Sequence, residues 1–142
     1  MSATEDIFLD VDLTVPEAAE QLAKALGFEL RSEETGLFLV RHQESAHVSG
    51  KLSVNYLADP EPEAPDAIDR YPLLWSLHRK GVPNWPAQMR AAREVFDEVV
   101  RALRWPALLT HDAEVAVADW SADRGLREFP ADTPTDSELL VS

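Results

Sequence analysis

Few residues in this chain of 142 are of types that do chemistry, and their spacing narrows them further. There are four histidines, His42, His47, His78 and His111, and no two of them lie four apart as helical metal ligands do. His42 and His47 can face each other across two strands, but a zinc site needs further ligands with matched geometry, so they read as two surface histidines near a turn. No serine sits in a Gly-x-Ser-x-Gly elbow, and Ser49-Gly50-Lys51 lacks the upstream glycine of a phosphate-binding loop. The absence of cysteine excludes disulfides, thiol catalysis and Cys-ligated zinc. No catalytic constellation is complete, so no residue is assigned a catalytic role and no metal or cofactor is expected.

The elements that must position these residues follow from periodicity. Ile7, Leu9, Val11 and Leu13 alternate with Phe8, Asp10 and Asp12, which predicts a strand with one buried face and puts both aspartates outward. Thr14-Val15-Pro16-Glu17 reads as a helix start with a capping box, Val15, Ala19, Leu22, Ala23 and Leu26 share one face, and Gly27 is the stop. Residues 28–31, 37–42 and 48–57 then read as strands with no helix between them, so they should pair antiparallel. In the third, Leu52, Val54 and Tyr56 alternate against Lys51, Ser53 and Asn55. Residues 59–69 hold five acids and three prolines, an extended, solvated loop.

Residues 71–78 predict another strand, with a short helix as the alternative. Asn84 caps a second helix over 85–104 whose stripe is Met89, Ala92, Phe96, Val99, Val100 and Leu103. Arg90–Glu94, Arg93–Asp97 and Asp97–Arg101 are its i,i+4 pairs. Residues 107–110 and 115–120 form a hairpin around His111-Asp112-Ala113-Glu114, and 126–129 is a candidate last strand. The class is α+β: a mostly antiparallel sheet of about six or seven strands with two helices packed on one face. Residues 1–130 form a single domain, and 131–142 a flexible acidic tail. Trp75, Trp105 and Trp120 are core candidates; Trp85, in a Pro-Asn-Trp-Pro context, is the one expected at the surface.

Charge supplies the functional lead. The chain carries 13 Lys+Arg against 26 Asp+Glu, a net −13. Residues 70–104 hold seven basic residues against three acids, a surplus of +4 that leaves −17 on the rest. Such a field repels nucleic acid and anionic lipid and attracts a cationic partner. No apolar run reaches the roughly 20 residues of a membrane span. The acidic start, Met1 to Asp6, lacks the basic and apolar regions of a secretory signal, so the expectation is cytoplasmic.

Two resemblances bear on the function. Ile7-Phe8-Leu9-Asp10-Val11-Asp12-Leu13-Thr14 resembles the first motif of the haloacid-dehalogenase phosphatases. That resemblance implies Asp10 as nucleophile and Asp12 as general acid/base beside magnesium, with Lys80 as the family's lysine and Asp112 with Asp119 as its acidic pair. It also implies a parallel sheet whose strands alternate with helices, which residues 28–80 do not offer. The general layout, a strand leading into the Leu13-Thr14-Val15-Pro16-Glu17 helix start, then strands, a later helix and a terminal hairpin over 108–117, resembles the immunity proteins of bacterial polymorphic-toxin systems, including the swarming-inhibition immunity family. This implies toxin binding without naming a site.

The reading is therefore a non-enzymatic immunity or inhibitor protein that neutralises a cationic toxin or effector, acting as a monomer or homodimer. A magnesium-dependent phosphatase-like enzyme is the alternative, and an acidic DNA mimic or adaptor a further one. Candidate partner-binding residues are Asp59, Glu61, Glu63, Asp66, Asp69, Trp85, Asp112, Glu114, Asp119 and Asp123.

Overall fold

In a computed structural model, which describes residues 4–43, 46–59, 66–79 and 84–140, eight strands form one antiparallel sheet. In chain order they are β1 (Glu5–Leu9), β2 (Glu29–Glu33), β3 (Gly36–Gln43), β4 (Ala46–Val54), β5 (Leu73–Arg79), β6 (Ala107–His111), β7 (Val115–Ser121) and β8 (Gly125–Glu128). Helix α1 (Val15–Leu26) follows β1, and α2 (Trp85–Leu103) follows β5. The spatial order is β2-β3-β4-β5-β1-β6-β7-β8. The class is α+β as expected, with a larger sheet than six or seven strands. Residues 71–78 contribute a strand, because β5 is needed to pair β4 with β1.

Both helix starts are capped by the residues expected. Thr14 accepts from the Glu17 backbone N–H at 3.3 Å, and Glu17 accepts from the Thr14 N–H at 2.9 Å. That backbone donor, followed by the Thr14 side chain, holds the Glu17 carboxyl below its ordinary range. Gly27 closes α1 at φ 74°, a left-handed conformation that favours glycine. Asn84 accepts from the Ala87 N–H at 3.1 Å to start α2.

The α2 stripe is rotated from the expected phase. Its buried residues are Gln88, Ala92, Val95, Phe96 and Val99, whereas Met89 is 41% exposed. A polar residue takes the inward place because Gln88 has two partners to satisfy, buried Glu5 and half-buried Arg79. It accepts from the Arg79 N–H at 3.1 Å and donates to Glu5 at 2.7 Å. Of the expected i,i+4 pairs, Arg93–Asp97 closes at 3.0 Å. Glu98 instead crosses to β3, where Arg41 meets it through two contacts of 2.9 and 2.6 Å. Arg41 also donates to the Leu26 carbonyl at the end of α1 and lies over the Phe28 ring, so one guanidinium ties both helices to the sheet.

The main core lies between the helices and one sheet face. Ile7, Leu9, Leu39, Leu52, Trp75, Leu77 and Leu109 pack there against Leu22, Val95, Phe96 and Val99. Gly50 is the close-approach point. A Cβ there would meet the Ser76 carbonyl at 2.6 Å, Leu77 at 2.7 Å and the Trp75 indole nitrogen at 2.8 Å.

A second, smaller core covers the opposite face of β1, β5, β6 and β7. Phe8, Leu74, Leu108 and Ala116 meet Ala67, Ile68, Tyr71 and Leu140. Strand β1 is therefore buried on both faces along its whole length, not on one as the alternation predicts, and it ends at Leu9 rather than running on through Leu13.

The chain after Pro130, read from sequence as a flexible acidic tail, is packed over this second core as far as Leu140. Ala116 donates to the Thr133 carbonyl at 2.7 Å, and Thr135 donates to the Glu114 carbonyl at 3.1 Å. Arg127 donates to the Leu139 and Leu140 carbonyls, each at 3.1 Å. Leu140 is fully buried. Edge strand β2 is exposed throughout and carries Glu29, Arg31 and Glu33, charges that oppose edge-to-edge pairing. No helix among the described residues is long and apolar enough to cross a membrane.

Candidate partner-binding surface

The register gathers the loops of the chain at two ends of the sheet. Leu9, Val54, Leu73, Ala107, Trp120 and Leu126 mark one end. The β1–α1 loop (Asp10, Asp12), the β2–β3 turn (Glu33, Glu34), the connection after β4 (Asp59) and the β7–β8 turn (Asp123) all leave from there. Each of these six acids is exposed. Asp10 and Asp12 thus join a surface that the sequence reading built from other residues.

Within this end, β4 stops at Val54 and the chain turns. Tyr56 is 71% exposed and Leu57 41%, and the strand expected to run to Leu57 ends at Val54, itself 63% exposed. The cause is Asn55, which is buried and satisfies backbone groups in place of a strand ladder. Its amide donates to the Ile68 and Tyr71 carbonyls, both at 2.8 Å, and its Oδ1 accepts from the Leu57 N–H at 3.1 Å. An amide with two donors and one acceptor so placed rigidly brackets the Tyr56–Leu57 turn. The one sequence signal for it is a polar amide within an alternating apolar run.

The described flanks of the acidic loop are tied together as well. Asp69 accepts from the Asp59 N–H at 3.0 Å and the Asp66 N–H at 3.1 Å, so one carboxylate holds together the two ends of the segment between them. Asp66 caps the Ile68 N–H at 3.1 Å, starting a short 3-10 turn (Ala67–Arg70), and accepts from Thr135 at 2.9 Å. Ala67 and Ile68 are buried, so this part of the expected solvated loop is core-forming. Glu61 and Glu63 lie outside the described residues.

Asp119 is buried and bound by Arg127 through contacts of 2.9 and 2.7 Å. Those bonds raise the Arg127 guanidinium against the lowering effect of its desolvation. The Asp119 carboxylate is thus structural and does not belong to an exposed acidic face. Asp123 and Asp59 stay with the first end. Asp112 and Glu114 are exposed at the other end, in the β6–β7 turn. Asp112 (φ 54°) and Ala113 (φ 57°), with Glu114 donating to the His111 carbonyl, form the tight turn that suits a hairpin's twist. Trp85, 41% exposed, stands at the start of α2 near that second end, beside Met89 one turn on. The eight sequence-predicted residues that are described are therefore not brought together in one patch.

The second end also holds a buried polar network that sequence reasoning missed. Glu5 is 2% exposed and bonds His111 Nδ1 at 2.7 Å and Gln88 at 2.7 Å. Asp6, on the opposite sheet face, accepts from Thr4 at 3.0 Å. Burial pushes its carboxyl up from the usual range; Ser76 and Thr4 pull it down, and the charges of Glu5 and Asp112 raise it further. The period-two pattern is blind to this, since it places acidic residues of a terminal segment in solvent.

Chemically, the network orients one half-exposed histidine. Among the described residues, no group of three or more His, Asp or Glu converges as a metal site. Asp10 and Asp12 follow a strand flanked by antiparallel neighbours on both sides, not the parallel sheet that the phosphatase resemblance implies. What the fold presents is an α+β scaffold with one sheet end along which six exposed acids are interspersed with the exposed Arg70, Arg104 and Arg124, and with an exposed aromatic–aliphatic turn at that same end. Comparison with protein-family models, with curated proteins and with solved structures finds no match.

Proposed function

We propose that this chain is a non-enzymatic binding protein, an inhibitor or immunity protein, that captures a cationic protein on the acidic end of its sheet. The observation that carries this reading is the Tyr56–Leu57 turn, exposed yet bracketed by buried Asn55, at a sheet end along which the exposed acids Asp10, Asp12, Glu33, Glu34, Asp59 and Asp123 outnumber the exposed Arg70, Arg104 and Arg124. An excess of exposed acids along one end speeds encounter with a basic surface, and a rigid aromatic supplies contact area at low entropic cost. The layout resemblance favours a toxin domain as the partner. The acidic field makes nucleic acid and anionic membrane disfavoured ligands.

The test is association kinetics against a basic toxin domain encoded immediately upstream of the gene. Wild-type association slows as salt rises. The combined Asp10→Asn, Asp12→Asn and Asp123→Asn variant associates more slowly and with flatter salt dependence. Tyr56→Ala leaves association nearly unchanged and speeds dissociation by about 30-fold, the size expected of a central aromatic anchor worth about 2 kcal/mol. Unaltered kinetics in both variants move the interface away from this end.

A further inference from the structure

We infer that the cross-strand pair His42 and His47 is a chelating site for a late divalent transition metal, with a bite suited to Cu(II) or Ni(II). The two residues stand directly opposite each other on β3 and β4, and both are exposed. Their Nδ1 atoms are 2.9 Å apart, and their ring centroids 3.8 Å with planes tilted by 46°.

That combination is not a linear hydrogen bond. Two imidazoles bonded head-on through Nδ1 would hold their centroids about 5 Å apart, because each nitrogen lies about 1.1 Å from its own ring centre. At 3.8 Å the rings overlap in part and the two nitrogens sit side by side. A modest rotation of the two exposed rings then turns both in-plane lone pairs onto one ion. A proton on both nitrogens would set two N–H groups against each other, whereas a metal accepts both lone pairs at once.

The separation also selects the ion. An ion about 2.0–2.1 Å from each of two nitrogens subtends about 90° when they are 2.9 Å apart. That is the cis angle of square-planar or octahedral coordination. A tetrahedral ion such as Zn(II) needs the two nitrogens about 3.3 Å apart. The pleat fixes the backbone spacing, so the two rings start out opposite each other before the ion arrives. Exposure leaves the remaining coordination positions open to water. His78 is one strand away on β5, opposite Ser49 rather than His47, and is not one of the two ligands.

The experiment is titration of the full chain with CuCl2, NiCl2 and ZnCl2, followed by calorimetry, with electron paramagnetic resonance of the copper form to count coordinating nitrogens. We expect one equivalent of Cu(II) with two imidazole nitrogens, and Ni(II) bound more tightly than Zn(II). His42→Ala and His47→Ala should each weaken Cu(II) by at least about tenfold, since loss even of an outer partner to a ligand costs that much. His78→Ala should bind as wild type does. All three variants change exposed or half-exposed side chains, and circular dichroism checks that each is folded. Copper binding that survives both His42→Ala and His47→Ala overturns the site, and Zn(II) bound more tightly than Ni(II) overturns the bite.

Discussion

Replacing Asn55 tests the link between the fold and the proposed surface. Asn55 is 9% exposed, and its side chain makes three hydrogen bonds to backbone groups of Leu57, Ile68 and Tyr71. In Asn55→Ala the three lost bonds are not equal. The Ile68 carbonyl keeps a donor, the Tyr71 N–H at 3.2 Å. The Leu57 N–H belongs to an exposed residue and can turn to water, so its loss costs about 1 kcal/mol. The Tyr71 carbonyl belongs to a residue that is 3% exposed, and stranding it costs about 1–3 kcal/mol. The expected destabilisation is about 2–4 kcal/mol, read by urea unfolding with tryptophan fluorescence. Asn55→Asp sharpens the test, because it keeps the shape and replaces the donating NH2 by an oxygen aimed at two carbonyls. At pH 7 it should be less stable than Asn55→Ala, and it should recover towards it in acid as the carboxyl gains a proton. Asn55→Ala within about 0.5 kcal/mol of wild type, or Asn55→Asp as stable as wild type at pH 7, would refute the bracket.

Other expectations concern the core and its charges. Leu140→Ala should cost about 2–4 kcal/mol in the same unfolding assay, since the side chain is fully buried against the second core; a surface-like loss under 0.5 kcal/mol would detach the C-terminal segment from that face. Gly50→Ala should destabilise by at least about 1–3 kcal/mol, because the Ser76 backbone carbonyl cannot yield as a flexible side chain would; an unchanged midpoint would contradict the packing. Asp6 has a carboxyl raised by burial, so the native chain holds that proton more tightly than the unfolded one. Its contribution to stability therefore falls as pH rises from the ordinary carboxyl range through the raised value. Asp6→Asn should stabilise the protein at pH 7 and lose that advantage in acid, and a constant difference across pH would remove the linkage.

The parts of this protein legible in its sequence are those with local causes. Thr14, Glu17 and Gly27 delimit α1, and Asn84 starts α2, because a cap is a bond between neighbours in the chain. Strands in succession without helices between them can only pair as antiparallel neighbours, which is how the α+β class follows from the pattern. The expectations that failed depend on partners far along the chain. The α2 stripe shifts to include Gln88 because Glu5, more than 80 residues away, needs its donor. Strand β4 stops at Val54, short of Leu57, because Asn55 serves carbonyls at Ile68 and Tyr71.

The candidate surface divides in the same way. Its composition is set by sequence: a chain with 26 acids against 13 bases will present an acidic field somewhere. Which acids share it is tertiary. Asp119 is consumed by Arg127, and Asp66 and Asp69 are spent on backbone N–H groups. Asp10 and Asp12 are brought to the same sheet end as Tyr56 by the pairing of β1 with β5 and of β5 with β4. Net charge adds residue by residue, so it can be counted from the chain. The position and partner of each charge follow from strand register and from burial on both faces of β1, and these exist only once the sheet has closed over its two cores.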